Sequence, residues 1–229
     1  WSSDAKDVGI QTRSVLSTAA RGGAITAAGA RAASDALHRQ TGRTAGNGSL
    51  MRTAPVAVAY LDDEDAMIEA ARALSELTHF DPDAGDAAVL WCCAIRHAVL
   101  TTELDVRIGL HHIDSGRLAV WQQRLDEADA ARPADFDNNG WVVAALQAAW
   151  SAIATTNTEG PEHLRDGLEA AVRAGFDTDT VAAIAGGLLG AAYGASAVPS
   201  QWCTLLHGWP GMDARGLAEL AAGIDRKAR

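Results

Sequence analysis

The apolar positions of this chain fall into a succession of helical stretches separated by short polar or glycine-bearing breaks. Val8, Val15, Leu16 and Ala19 keep helical spacing until Arg21-Gly22-Gly23 stops them, and an Ala-rich stretch from Ile25 to Gln40 predicts a second helix. Leu50 to Tyr60 is a further apolar segment, in which Pro55 belongs in a first turn or at a kink. Asp62 to Leu77 is amphipathic with Asp62 or Asp63 as its cap, and Ala84 to Thr102 follows, with Trp91 as a core residue. Between Thr102 and Asn139 lie a helix and a charged stretch, Asp126 to Asp137, whose polarity predicts a surface connection. Val142 to Ile153 is apolar, Pro161 opens the next helix in a favoured first-turn position, and Gly175 closes it. A long apolar run from Val181 to Val198, a short helix after Pro199 and an amphipathic stretch from Asp213 to Ile224 complete the chain. Strand-like alternation is missing over any useful length, and no repeat of fixed period is present. The pattern therefore predicts an all-α, compact single-domain, multi-helix protein.

The most informative junction is Gly175-Phe176-Asp177-Thr178-Asp179-Thr180, which runs directly into the apolar stretch. Asp177 is placed as a helix N-cap, with Thr180 on the same side of the first turn. Two carboxylates and a hydroxyl at a helix start form an oxygen-only donor set, suited to Mg²⁺, Mn²⁺ or Ca²⁺ rather than zinc. The competing explanation is a capped helix with an acidic first turn. Gly186, Gly190 and Gly194 recur every four residues along the run, so one face carries almost no side chain, which predicts close approach of a neighbour and a central position for this helix. The run has the length of a membrane span, but its Ala/Gly composition and acidic start argue against insertion.

Composition narrows the function classes. With 229 residues and 48% hydrophobic content the chain can bury a substantial core, and its Ala and Leu content favours helix. A net charge of −10 argues against a nucleic-acid surface. Three cysteines cannot all pair, and Cys92 and Cys93 adjoin on one helix, so reduced thiols and a cytoplasmic location are expected. The chain starts at Trp1 rather than Met, and a segment upstream is expected. The acidic surface and the lack of a heptad seam predict a monomer.

Further candidate chemistry sits in loops. Gly46-Asn47-Gly48 lies in a stretch from Thr41 to Arg52 whose backbone can approach a ligand closely, although turn chemistry explains such glycines equally well. His79 precedes a proline break, where side chains often enter a pocket or face a helix end. His111-His112 diverge by about 100° on a helix, which favours solvent or partial burial over a metal pair.

Three of these pieces together resemble the ADP-ribosylglycohydrolase family: Gly46-Asn47-Gly48-Ser49-Leu50-Met51-Arg52, Asn139-Gly140-Trp141-Val142-Val143, and Gly175 to Thr180 with the Ala182-Ala183-Ile184-Ala185-Gly186 continuation. Asp7-Val8-Gly9 and Thr78-His79-Phe80-Asp81-Pro82 are similar to weaker family segments. The resemblance implies a compact all-helical fold with a two-magnesium site, also open to Mn²⁺, that hydrolyses the bond between ADP-ribose and a modified protein side chain or a small ADP-ribosyl compound. By the same resemblance, Asp177, Asp179 and Thr180 are metal ligands. Gly46, Asn47, Gly48, Ser49 and Met51 line the ADP-ribose cleft with His79, Asn139, Gly140 and Trp141, and Asp7 is the acidic residue near the reacting ribose. The family's upstream Thr-Asp-Asp ligand run and Gly-Asp-Ala-type segment have no counterpart from Trp1 onward, so the resemblance implies an N-terminally incomplete domain over residues 1–229. The alternatives are a non-catalytic ADP-ribose-binding or scaffold member with a depleted metal site, and a helical interaction protein in which Asp177 only caps a helix.

Overall fold

The computed structural model describes residues 8–21 and 25–227. Among the described residues the chain is all-α apart from a two-residue pairing of His207–Gly208 with Met212–Asp213. Its helices are α1 (Ile10–Ala20), α2 (Ala27–Thr41), α3 (Ala54–Ala59), α4 (Glu64–Glu76), α5 (Pro82–Thr101), α6 (Ser115–Ala130), α7 (Val142–Ala154), α8 (Glu162–Arg173), α9 (Thr178–Tyr193), α10 (Ser200–Leu205) and α11 (Ala214–Lys227). Short 3-10 turns occupy Leu50–Arg52, Val106–His112, Pro133–Asp135 and Ala195–Ala197.

Two helices form the centre. In α5 every residue from Ala84 to Ile95 is buried, and in α7 every residue from Val142 to Ile153. A helix apolar on all sides must be enclosed by others, and α4, α6, α8 and α9 supply that enclosure. The central position expected for α9 thus belongs to α5 and α7. α9 buries one stripe, including Val181, Ile184, Ala185, Leu188 and Leu189, and leaves Ala183 exposed. Trp91 is buried as expected, and its indole N–H donates 2.9 Å to the Ile184 carbonyl, tying α5 to α9.

The glycine row of α9 meets the expectation only at Gly186, where a Cβ would lie 3.3 Å from Leu168 Cδ2. A Cβ on Gly190 would meet nothing within 4 Å, and Gly194 lies past the helix end at φ 74°. Closer approach occurs off the row, at Gly187, where a Cβ would lie 3.1 Å from the Ala54 Cβ, and at Gly167 of α8, 3.0 Å from Leu189 Cδ1. A second correction concerns Asp126 to Asp137. Its first part is the last turn of α6, whose Trp121, Leu125 and Ala128 are buried while Asp126 and Asp129 are held by Arg107 at 2.7 and 2.8 Å. Among the described residues no helix is long and apolar enough to cross a membrane.

Helix starts follow the rules of capping. Asp63 accepts from the Ala66 amide at 3.0 Å and Asp81 from the Asp83 amide at 2.9 Å, with Pro82 at the first position of α5. Pro82 therefore opens α5 two residues earlier than Ala84. Asp177 precedes α9 but its carboxylate makes no cap bond. The reason is local: Gly175 (φ 84°) and Phe176 (φ 60°) are both left-handed, which turns Asp177 away from the first turn of its helix.

Candidate active site

The loop Gly46–Asn47 is clamped against the start of α7. The Asn47 amide donates to the Gly140 carbonyl at 3.1 Å and the Val142 amide to the Ala45 carbonyl at 2.9 Å, an isolated antiparallel bridge between Gly46 and Trp141. Side chains then tie this pair to α9. Asn47 Nδ2 donates to the Asn139 carbonyl at 2.8 Å and to Asp177 Oδ2 at 2.6 Å. Asn139 accepts from the Asp177 amide at 3.0 Å and donates to the Gly175 carbonyl at 2.9 Å. A carbonyl and a carboxylate can only accept, so the orientation of the Asn47 amide is fixed by its partners. Three segments distant in sequence thus meet in one knot.

His79 supports the loop from below. It is 3% exposed, and a Cβ on Gly46 or Gly48 would come within 3.3 or 3.2 Å of its ring. Only residues without a side chain allow the loop to lie on the imidazole. The ring's Nδ1 is 2.7 Å from Thr78 Oγ1, which also receives an N–H from Arg52, while Arg52 donates to the Gly48 carbonyl at 2.9 Å. The Thr78 oxygen can take the guanidinium N–H while its own hydrogen points at Nδ1, an arrangement that puts the ring proton on Nε2 beside the loop. Burial, reinforced by the Arg52 charge, pushes the His79 imidazole down to about 3, so it is neutral at physiological pH. Gln11 completes the support, donating to the Thr44 and Thr78 carbonyls at 2.9 and 2.7 Å.

At the start of α9, Asp177 is half-buried, Asp179 is exposed, and Thr180 is buried with its hydroxyl 3.6 Å from the sulfur of the half-exposed Met51. The Asp179 side chain makes no hydrogen bond among the described residues. Two carboxylates and a hydroxyl thus stand within four residues at the start of α9, hard oxygen donors of the kind that suits magnesium or manganese. Asp7 lies outside the described residues. Ser49 is fully buried, and its hydroxyl accepts from Ser75 at 3.0 Å, so its side chain faces α4 and only its backbone belongs to the loop.

Beside the Gly46–Trp141 bridge opens a hollow of about 520 Å³ lined by Gln11, Arg43, Asp81, Asp83, Asn138 and Trp141. The Trp141 ring, 36% exposed, is backed by the Arg124 guanidinium at 5.5 Å, which also covers Trp121 at 4.7 Å. Arg124 is held by Asp83 at 2.8 Å, and Asp83 by Arg117 at 2.6 Å. Burial pulls the Asp83 carboxyl upward, but the Arg124 and Arg117 guanidiniums outweigh it and hold it below the usual range. Asp86 continues the chain, accepting from Arg117 at 2.6 Å, Arg72 at 2.8 Å and the Trp121 indole at 3.0 Å. A separate, mainly apolar hollow of about 330 Å³ lies between Leu168, Val172, Ala182 and Trp202, and the two charged residues at its edge, Glu169 and Arg173, are paired with each other at 2.8 Å.

Arg52 and Thr78 stood inside the quoted sequence segments without a role, whereas Gln11 and Arg124 carry no local signal. Gln11 reaches residues 33 and 67 positions away, and only the fold brings them together.

The family model described as ADP-ribosylglycohydrolase matches residues 1–229. The chain belongs to this family. Among curated proteins it is 28% identical over 203 residues to ADP-ribosylhydrolase ARH3 of Homo sapiens, covering 73% of this chain and 55% of that protein. It is 31% identical over 166 residues to ADP-ribosylarginine hydrolase Tri1 of Pseudomonas putida (strain GB-1), covering 69% of this chain and 41% of that protein. The chain thus spans about half the length of these ADP-ribosylglycohydrolase relatives. A solved structure described as an ADP-ribosylglycohydrolase-related protein complex superposes with a TM-score of 0.67 at 26% identity, covering 96% of this chain and 70% of that one. The all-helical architecture is the one expected of an ADP-ribosylglycohydrolase, a family of hydrolases acting on ADP-ribosyl linkages.

Proposed function

We propose that this chain carries out magnesium-dependent hydrolysis of the glycosidic bond between ADP-ribose and a modified protein side chain or a small ADP-ribosyl acceptor, as a monomer. The observation that carries the reading is the Asn47–Asn139–Asp177 knot, which ties the glycine loop, the segment leading into Trp141 and the acidic start of α9 together. The loop offers backbone amides to a diphosphate, and the neutral His79 ring beneath it adds an N–H donor without a charge that must be desolvated. Trp141 presents an aromatic face to a planar group. Asp177, Asp179 and Thr180 would hold the magnesium, or manganese in its place, with the Asn47 amide on Asp177 Oδ2 fixing that carboxylate's orientation. When bound, the ion supplies a water of lowered pKa and anchors ribose hydroxyls. Octahedral magnesium takes about six oxygens, and the α9 start gives three, so water, substrate and residues outside the described set would complete the shell.

A second reading, an ADP-ribose-binding member without hydrolytic activity, is favoured by that same shortage of protein ligands. Calorimetric titration with ADP-ribose in magnesium and in chelator, together with release of ADP-ribose from arginine- and serine-linked peptides, tests both. Magnesium-dependent binding and release, both reduced at least tenfold in Asp177→Asn/Asp179→Asn, is the expected result. Asparagine keeps an oxygen for the Asn47 amide, so folding is preserved while ligand charge is lost. Binding without release from any linkage would select the second reading, and an unchanged magnesium response in the double variant would overturn the assignment of these ligands.

A further inference from the structure

Three ligand-type side chains that take no part in the cleft come together where Val106–His112 crosses α5. Glu64, Cys93 and His112 offer a carboxylate oxygen, a thiol sulfur and an imidazole nitrogen, all within 4.8 Å of one another. They come from the first residue of α4, the middle of α5 and the last residue of the 3-10 turn. Gly109 makes the meeting possible. A Cβ there would lie 3.0 Å from Cys93 Cβ and 3.2 Å from the Leu90 Cα, so the segment runs against α5 with no side chain between.

The cluster is already oriented. His112 Nε2 is 3.1 Å from Glu64 Oε1, and Arg96 takes the other carboxylate oxygen at 2.9 Å while its Nε donates to the Leu61 carbonyl at 2.8 Å. Cys93 is 3% exposed, whereas Glu64 and His112 are half-buried and reachable from solvent. The exposed His111 ring lies against His112 with centroids 3.7 Å apart. A plain ion-pair clamp would need only Glu64 with its two basic partners. A thiol at the same focus adds nothing to such a clamp, but it changes the donor set from one suited to magnesium into one suited to zinc.

We infer that Glu64, Cys93 and His112 form a site for one divalent cation of the zinc class, separate from the oxygen set at the start of α9. Zinc lies about 2.0–2.3 Å from nitrogen, oxygen and sulfur ligands, which sets neighbouring donors roughly 3.5 Å apart. The three atoms reach that spacing by closing about an ångström, within rotamer adjustment. Binding replaces the Glu64–His112 hydrogen bond with two coordinate bonds, sends the Cys93 thiol proton to solvent, and requires the imidazole proton on Nδ1. Arg96 stays on the second carboxylate oxygen and fixes its direction. The fourth position faces outward, to water or to His111. The ion would pin the 3-10 turn, α4 and α5 together behind the core. Because the thiol must lose its proton to bind the ion, affinity rises with pH.

Cobalt is the probe, because a Co²⁺–thiolate bond absorbs in the near ultraviolet. The chelator-treated protein should take one equivalent of Co²⁺ with a thiolate charge-transfer band, strengthening with pH and displaced by Zn²⁺. Cys93→Ala should abolish the band and Glu64→Gln should weaken affinity at least tenfold, each with helical circular dichroism unchanged. Cys203→Ala and Asp177→Asn/Asp179→Asn should keep it. No thiolate band at millimolar cobalt, or a band that survives Cys93→Ala and disappears in Cys203→Ala, would overturn the site. Should Cys93→Ala fail to fold, Glu64→Gln decides alone: unchanged cobalt affinity there also overturns it.

Discussion

A buried histidine under a glycine loop has a consequence that can be measured without substrate. In the folded protein the His79 pKa is lowered to about 3, against about 6.5 when unfolded. A group whose folded pKa is depressed contributes stability that is present above its unfolded pKa and is lost as pH falls toward the folded value. The loss therefore starts below about pH 6.5 and continues toward pH 3, with a limiting slope of about 1.4 kcal/mol per unit. Urea unfolding of the parent and of His79→Gln, compared from neutral to mildly acidic pH, should show two curves that converge as pH drops. Gln keeps an amide able to meet Thr78 but does not titrate. Parallel curves would mean that His79 is solvated and charged like any surface imidazole. The same scale explains why Asp177 holds the N-cap position of α9 without a side-chain cap bond. Capping preference describes a carboxylate left to its own helix, whereas here two left-handed residues before it and an asparagine amide from 130 positions away take the side chain elsewhere.

At the level of elements, helical periodicity made most of the architecture legible, since a stripe of apolar residues has to be buried whichever neighbour arrives. It could not say which neighbour. The uniformly apolar stretches Ala84 to Thr102 and Val142 to Ile153 became the central helices, while the glycine row that drew attention in α9 faces partly open space. A missing side chain is visible in sequence, but the element filling the gap is a property of the fold. This distinction gives opposite predictions for two glycines three residues apart. Gly190→Ala meets nothing within 4 Å and sits inside a helix, so it should stabilise by about 0.5–1 kcal/mol. Gly187→Ala would bring its methyl to 3.1 Å from the Ala54 Cβ and 3.6 Å from Ile95 Cδ1. Prising α3 from α9 should cost about 1–3 kcal/mol. Thermal melts of the two variants check both signs. The same logic applies to the loop: the recognisable Gly-Asn-Gly was legible as a turn, but its dependence on His79, Arg52 and Gln11 was not, because those contacts cross 4 to 67 positions.

Across the whole molecule, charge and site pull in opposite directions. The chain carries a net −10, yet the cleft proposed for an anionic diphosphate contains few free cations. Helix starts resolve the conflict. Asp81 and Asp83 at the start of α5 and Trp141 at the start of α7 line one hollow with Gly46, and Asp177 at the start of α9 is bonded to Asn47 in the same loop. Three helix N-termini, each carrying a partial positive charge, therefore border one short stretch of backbone. That attraction is short-ranged and needs no mobile side chain, whereas the repulsion from the acidic surface acts over roughly a Debye length, about 10 Å at 0.1 M salt. Added salt screens the second more than the first. At saturating magnesium the association rate of ADP-ribose should consequently rise with sodium chloride, while its dissociation rate changes little. Stopped-flow binding at several ionic strengths reads both constants. An association rate that falls with salt would place a net positive field at the cleft mouth and make exposed cations such as Arg43, rather than the helix starts, the source of attraction.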